Sequence, residues 1–250
     1  MGLALRSGAA AVYATIVARH VRAVGVTVRP DRAALASLAA VSSDLFVRTA
    51  ALRVSFTVAT AVAARIGVVE LAAHQVAFEI WTFLALVLDA IAIAGQAMVG
   101  RLLGAGDGSG ARAASRRMLE WGAVAGLAFA ALVAALSPVL PGLFTGDPEV
   151  ARLASFLLLL VAVLQPVNAA VFVLDGVLIG AGDLRYLAWA MVVASAAFVP
   201  AAAAVNLAGL GIGWLWMAIA ILMAARLVTL GARWRRGAWA VVGARRPSPT

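Results

Sequence analysis

Cysteine is absent from these 250 residues, which excludes disulfides, thiolate metal sites and a cysteine nucleophile. Lysine is absent too, since all 20 basic residues are arginine. The chain therefore lacks the lysine that a phosphate-cradling glycine loop requires, and no strand pattern precedes either of its glycine-rich tetrapeptides. Only 12% of the residues are charged, about half the share found in a soluble domain. Histidine occurs twice, at His20 and His74. No serine–histidine–acid arrangement and no nucleotide fingerprint is present, so the sequence offers no catalytic centre, cofactor site or metal site.

What fills the chain is apolar. Hydrophobic residues make up 64% of it, against about half in a soluble domain. A hydrocarbon core of about 30 Å is crossed by about 20 apolar residues of helix. Six such runs follow one another, at 44–67, 71–103, 118–140, 151–179, 184–207 and 211–230. The fold class is therefore all-α, a polytopic membrane helix bundle. Residues 8–18 are apolar but too short to span, and Arg19, His20 and Arg22 follow where a signal peptide would carry small residues. This segment reads as a partial transmembrane helix. Residues 1–43 are thus a partial helix and a basic linker, 44–232 a six-helix lobe, and 233–250 a basic tail.

The arginines set the orientation. Fourteen lie in segments that share one side, among them Arg19, Arg22, Arg29, Arg32, Arg101, Arg112, Arg116, Arg117 and Arg185, with five more in the tail. The other side holds only Arg6, Arg65 and Arg152, and its loop 142–149 is acidic. By the positive-inside rule the basic side and the C-terminus are cytoplasmic. Trp121, Trp189, Trp234 and Trp239 lie near the basic ends, where interfacial tryptophans belong. The net charge of +9 then suits an anionic membrane leaflet rather than nucleic acid. His20 and His74 fall on opposite sides and cannot share a metal, and His74 is expected at the outer interface.

Two acids lie at membrane depth in repeated surroundings. Val87-Leu88-Asp89-Ala90-Ile91-Ala92-Ile93-Ala94-Gly95 is echoed by Val173-Leu174-Asp175-Gly176-Val177-Leu178-Ile179-Gly180. Gly104-Ala105-Gly106-Asp107 and Gly180-Ala181-Gly182-Asp183 follow downstream. These tetrapeptides read as helix stops, with Gly104 and Gly106 free to take left-handed conformations and Asp107 or Ser109 as the next cap. A carboxylate in hydrocarbon is costly and marks ion or substrate pathways, and a duplicated one fits a transporter built from repeats. Gln75, Thr82, Asp89 and Gln96 recur every seven residues on one slowly drifting face, with Glu79 one turn after Gln75. Gln165, Asn168 and Asp175 form a second polar face, beside Pro166, which should kink its helix. Asp44 and Arg48 are spaced to pair along the first span. Arg53, deeper, either pairs with Asp89 or Asp175 or snorkels inward. The candidate transport and ion-coupling residues are Asp89, Asp175, Gln75, Glu79, Gln96, Asn168 and Arg53.

Several of these stretches, taken in order, are similar to a known family. Ala72-Ala73-His74-Gln75-Val76-Ala77, then Leu88 to Ala97, then Gly100-Arg101-Leu102-Leu103-Gly104-Ala105-Gly106-Asp107 resemble the DinF-like branch of the MATE (multidrug and toxic compound extrusion) family. So do Leu143-Phe144-Thr145 with Asp147-Pro148, and Phe172 to Asp183. The resemblance implies twelve helices in two six-helix lobes, of which this chain is similar to the end of the sixth helix, the linker and the C-terminal lobe, a truncated form. It implies antiport of cationic or amphiphilic drugs against H⁺ or Na⁺ by alternating access in the inner (plasma) membrane, with the coupling ion as the sole cofactor. Gln75, Asp89, Gln96 and Asp175 are the positions carried over from the motifs. The implied partners are membrane lipids, the small-molecule substrates and an N-terminal lobe or a second copy. A lipid-linked substrate flippase of the same superfamily and a non-transporting remnant stay open as alternatives.

Overall fold

The computed structural model describes residues 12–13, 15–17, 19 and 32–243. The linker arginines Arg22 and Arg29, His20, and the tail arginines Arg245 and Arg246 lie outside the described residues, as does most of the partial first helix. Contacts divide the chain into Met1–Ala40 and Val41–Thr250. In the first unit, the described residues are helical. The first long helix runs across this division, and from Val41 on everything described below belongs to the second unit.

Six long helices follow in order: α1 (Arg32–Ile66), α2 (Val68–Gly104), α3 (Gly108–Leu136), α4 (Pro148–Gly180), α5 (Leu184–Leu207) and α6 (Ile212–Arg236). Each is long and apolar enough to cross a membrane, and no strand occurs among the described residues. The chain is a multi-pass membrane helix bundle. Helix α1 begins twelve residues before the expected start at Asp44. Residues 33–43 contain only Ala, Leu, Ser and Val, with no Gly or Pro to stop a helix. Likewise α3 begins at Gly108, ten residues before the expected start of its span at 118.

Helix α4 is the centre of the second unit. It packs against α2, α3, α6 and the short 3₁₀ turn Leu140–Leu143. Its buried side chains, including Leu157, Leu158, Val161, Val171, Leu174 and Leu178, lie on every face, as expected of a helix surrounded by protein. It stays helical through Pro166, where Gly126 of α3 nests: a Cβ there would stand 2.9 Å from the Pro166 Cα and 3.0 Å from the Gln165 carbonyl. Helices α2 and α4 also cross closely. A Cβ on Gly176 would collide with the Ala92 backbone, and one on Gly180 with the Gln96 carbonyl. Gly176 and Gly180 are four apart, the small-residue spacing that lets membrane helices touch backbone to backbone.

The repeated tetrapeptides fold alike. The Asp107 N–H donates to the Leu102 carbonyl, and the Asp183 N–H to that of Leu178, each five residues back. Gly106 and Gly182 supply the left-handed turn, at φ 83° and 73°, which glycine adopts without steric cost. Gly104, the other expected left-handed position, is helical instead. The two acids then diverge. Asp107 caps α3, accepting from the Gly110 N–H at 2.7 Å and the Ser109 hydroxyl at 2.8 Å, and these donors hold its carboxyl below the usual aspartate range. Asp183 makes no cap and accepts instead from the Arg233 Nε at 2.7 Å.

Candidate functional site

Helix α1 meets the later helices along a stripe of small, fully buried residues, Ser55, Ala59 and Ala63. Its Phe56 ring lies edge-on to Phe78 and Trp81 of α2, with centroids 5.0 and 5.3 Å apart. The Ser55 hydroxyl donates to that of Ser195 on α5 at 3.0 Å. The Arg48 Nη2 donates to Oδ2 of Asp175 on α4 at 2.7 Å. Between α1, α2 and α4 this leaves a cavity of about 460 Å³.

Asp175 is the electrostatic centre of that cavity. Its Oδ2 also accepts from the Arg226 Nη2 of α6. The Arg226 and Asp175 side chains are 6% and 7% exposed, and that of Arg48 20%. One carboxylate oxygen thus joins three helices. Charge-assisted bonds of this kind are the strong ones, and removing one partner of so buried a pair leaves an uncompensated charge at high cost. Arg226 is 14 residues from the start of α6 and 10 from its end, about 21 and 15 Å of helix, so it lies deep within the span.

Sequence spacing placed some of the candidates here and misjudged others. Asp89, Asp175, Gln96 and Arg53 all line the cavity, together with Thr82. Asp89 and Gln96 are exposed to it, and among the described residues Asp89 makes no ion pair. Arg53 makes none either, so neither of its expected pairings forms. Arg48 pairs with Asp175 and not with Asp44, because the buried acid across the cavity offers a desolvated partner. Glu79 is not on the cavity face. It lines a separate apolar groove with Phe83, Leu132, Leu136 and Phe144. Glu79, four residues after Gln75, stands about 40° to one side of it at 3.6 residues per turn, while two heptads of drift at about 20° each carry Asp89 about 40° to the other. Gln75 is exposed but outside the lining, three residues before Phe78, and Asn168 is buried in α4 one turn before Phe172, also outside it.

One further residue departs from expectation. His74 is fully buried, not interfacial. It stacks on Phe78 at 5.7 Å and meets the Trp216 ring edge-on at 5.8 Å. Near the end of α6 the Trp234 Nε1 donates to the Ser115 hydroxyl of α3 at 3.0 Å, and the Trp239 Nε1 to the Trp234 carbonyl at 3.1 Å. Trp121 and Trp189, by contrast, are 66% and 53% exposed. Arg226 and Arg48, which hold Asp175, stood outside the candidate set. Their signal was visible as arginines inside apolar spans, but which acid they reach depends on how α1, α4 and α6 pack.

Comparison with known proteins places this arrangement. The sequence model of the MatE family matches residues 45–204, more than half of the chain. The chain belongs to the MATE family. Protein DETOXIFICATION 45, chloroplastic, of Arabidopsis thaliana is 36% identical over 197 residues, covering 77% of this chain and 34% of that protein. DNA damage-inducible protein F of Escherichia coli (strain K12) is 31% identical over 206 residues, covering 81% of this chain and 44% of that protein. The chain thus spans less than half the length of either relative. In fold it is similar to a MOP superfamily transporter from Pyrococcus furiosus, with a TM-score of 0.71 at 19% identity over 84% of this chain and 47% of that one. MATE members are transporters, not enzymes, and the polar cavity of this one is therefore a candidate transport site.

Proposed function

We propose that this lobe exports small amphiphilic molecules in exchange for H⁺ or Na⁺ by alternating access, with its polar cavity forming one wall of the shared substrate and ion site. The observation that carries this reading is the pair of repeated acids in one cavity, in unequal states. Asp175 is fixed between two guanidiniums, whereas Asp89 faces the cavity without an ion pair. An ion couples to a conformational change only through differential affinity for the two states. Asp89 is the carboxylate free to bind and release an ion as the helices around it rearrange. Helix α1 carries Arg48, one of the two guanidiniums on Asp175, so any movement of α1 changes the charge facing Asp89. The facing wall comes from a second six-helix lobe, either an N-terminal lobe or a second copy. The membrane is the inner (plasma) membrane, with the C-terminus cytoplasmic.

The test is gradient-driven flux of a fluorescent amphiphile in proteoliposomes, with and without a co-expressed partner lobe. Flux should follow an imposed H⁺ or Na⁺ gradient in the parent and lose that dependence in Asp89→Asn. Equal, gradient-driven flux in both proteins sinks the assignment of Asp89. The lipid-linked flippase remains the second reading, because Arg48, Arg53 and Arg226 all line the cavity. The cationic cargo implied by the family resemblance is not what that charge favours.

A further inference from the structure

The cavity holds more positive charge than its own acids neutralise. Arg48, Arg53 and Arg226 line it, against Asp89 and Asp175. Asp175 meets two of the arginines through the same oxygen, Oδ2. A guanidinium carries five N–H donors in a rigid fork. Arg48 spends one nitrogen on Asp175, and Arg226 one on Asp175 and one on the Met223 sulfur at 3.7 Å. Arg53 has no ion pair among the described residues. At membrane depth such donors need an acceptor, since unpaired charge is costly there. A cationic ligand would add a fourth positive charge to this wall. Phe56, Phe78 and Trp81 line the same cavity, giving an apolar surface next to the cationic one.

We propose that this face binds the oxyanion of an amphiphilic molecule, a carboxylate or phosphate held by the free guanidinium donors of Arg48 and Arg53 while its apolar body lies against Phe56, Phe78 and Trp81. The proposal deepens the transport reading by giving the charge of the substrate, and it rests on that reading only for the cargo being carried across. The guanidinium fork matches the planar geometry of a carboxylate and the oxygens of a phosphate. The same chemistry is offered by a free organic acid and by a lipid-linked phosphate head.

Binding without transport tests it. The full chain in nanodiscs of uncharged lipid is titrated at pH 7 with four probes: phenylacetate, benzyl phosphate, benzylammonium and dodecyl phosphate, read by saturation-transfer NMR. Phenylacetate and benzyl phosphate should bind at least about tenfold more tightly than benzylammonium, the effect of one charge-assisted hydrogen bond. Arg53→Gln, which breaks no ion pair, should weaken phenylacetate about tenfold, and Arg53→Lys should lose less. Binding of both phosphates supports a free organic anion as the ligand, and binding of dodecyl phosphate alone supports a lipid-linked one. Benzylammonium binding as tightly as phenylacetate overturns the proposal, as does unchanged phenylacetate affinity in both Arg53→Gln and Arg48→Gln. Anion binding without gradient-driven flux keeps this site and removes the transport reading. Flux in a protein that binds only benzylammonium does the reverse.

Discussion

Asp175→Asn removes the one negative charge that two deep arginines share. Arg48 and Arg226 each place Nη2 on Oδ2 of Asp175, so those two nitrogens lie within about 5 Å of each other. Without the carboxylate, two unit charges at that separation repel by roughly 3 kcal/mol at an effective dielectric constant of about 20. Breaking a buried ion pair from one side costs about 3–5 kcal/mol in proteins generally, a similar size. On the scale of about 2–4 °C per kcal/mol for a chain of this length, the midpoint should fall by roughly 10 °C. The assay is thermal unfolding of the detergent-solubilised chain, followed by circular dichroism. A second substitution, Arg48→Gln, should return part of the loss, because the double variant buries only one unpaired guanidinium. A midpoint within 2 °C of the parent, with no coupling between positions 175 and 48, would refute the reasoning, since the three-helix junction would then contribute nothing to stability.

Other outcomes follow from the same structure. Asp89→Asn should unfold within about 2 °C of the parent, because Asp89 makes no ion pair among the described residues, while losing ion dependence in the flux assay; a large loss of midpoint counts against that separation of roles. Gly176→Val should cost at least the 1–3 kcal/mol typical of overpacking, since its side chain would enter the Ala92 backbone, and the measurement is the same melt. A single cysteine at Gly146, in an exposed turn, should react with an impermeant maleimide in intact cells; labelling only after permeabilisation reverses the orientation. The Asp107 carboxyl is held below its unfolded value, so its cap acts fully above the ordinary aspartate range and is lost as pH falls through the folded value. Asp107→Ala should therefore flatten the acid limb of a midpoint-against-pH curve, and an unchanged limb removes the cap from the account.

How much of this could be read from the residues depended on the range of the interaction. The spans were legible because crossing a membrane depends on the length and polarity of one local run. The paired helix stops were legible too, since Gly106 and Gly182 act within a single turn, and the heptad spacing brought Thr82, Asp89 and Gln96 to one face. Glu79 shows the limit of that spacing, because its one-turn offset from Gln75 and the drift of the heptad face run in opposite directions and add up to a different surface. Asp175 was found by its cost in hydrocarbon, yet its two guanidinium partners come from helices more than a hundred residues before it and about fifty after it. Nothing local distinguishes Arg48 beside Asp44 from Arg48 reaching across to Asp175, and the desolvated acid wins only once α1 lies against α4. His74 is likewise apolar-flanked on paper and becomes a buried ring only because Trp216 of α6 covers it. Composition and periodicity determined that the described residues hold six helices long and apolar enough to cross a membrane, with acids at depth. The packing of α1, α4 and α6 decided which of those acids is locked between arginines and which faces the cavity, because charge pairing in a dry interior depends on contacts that no single helix contains.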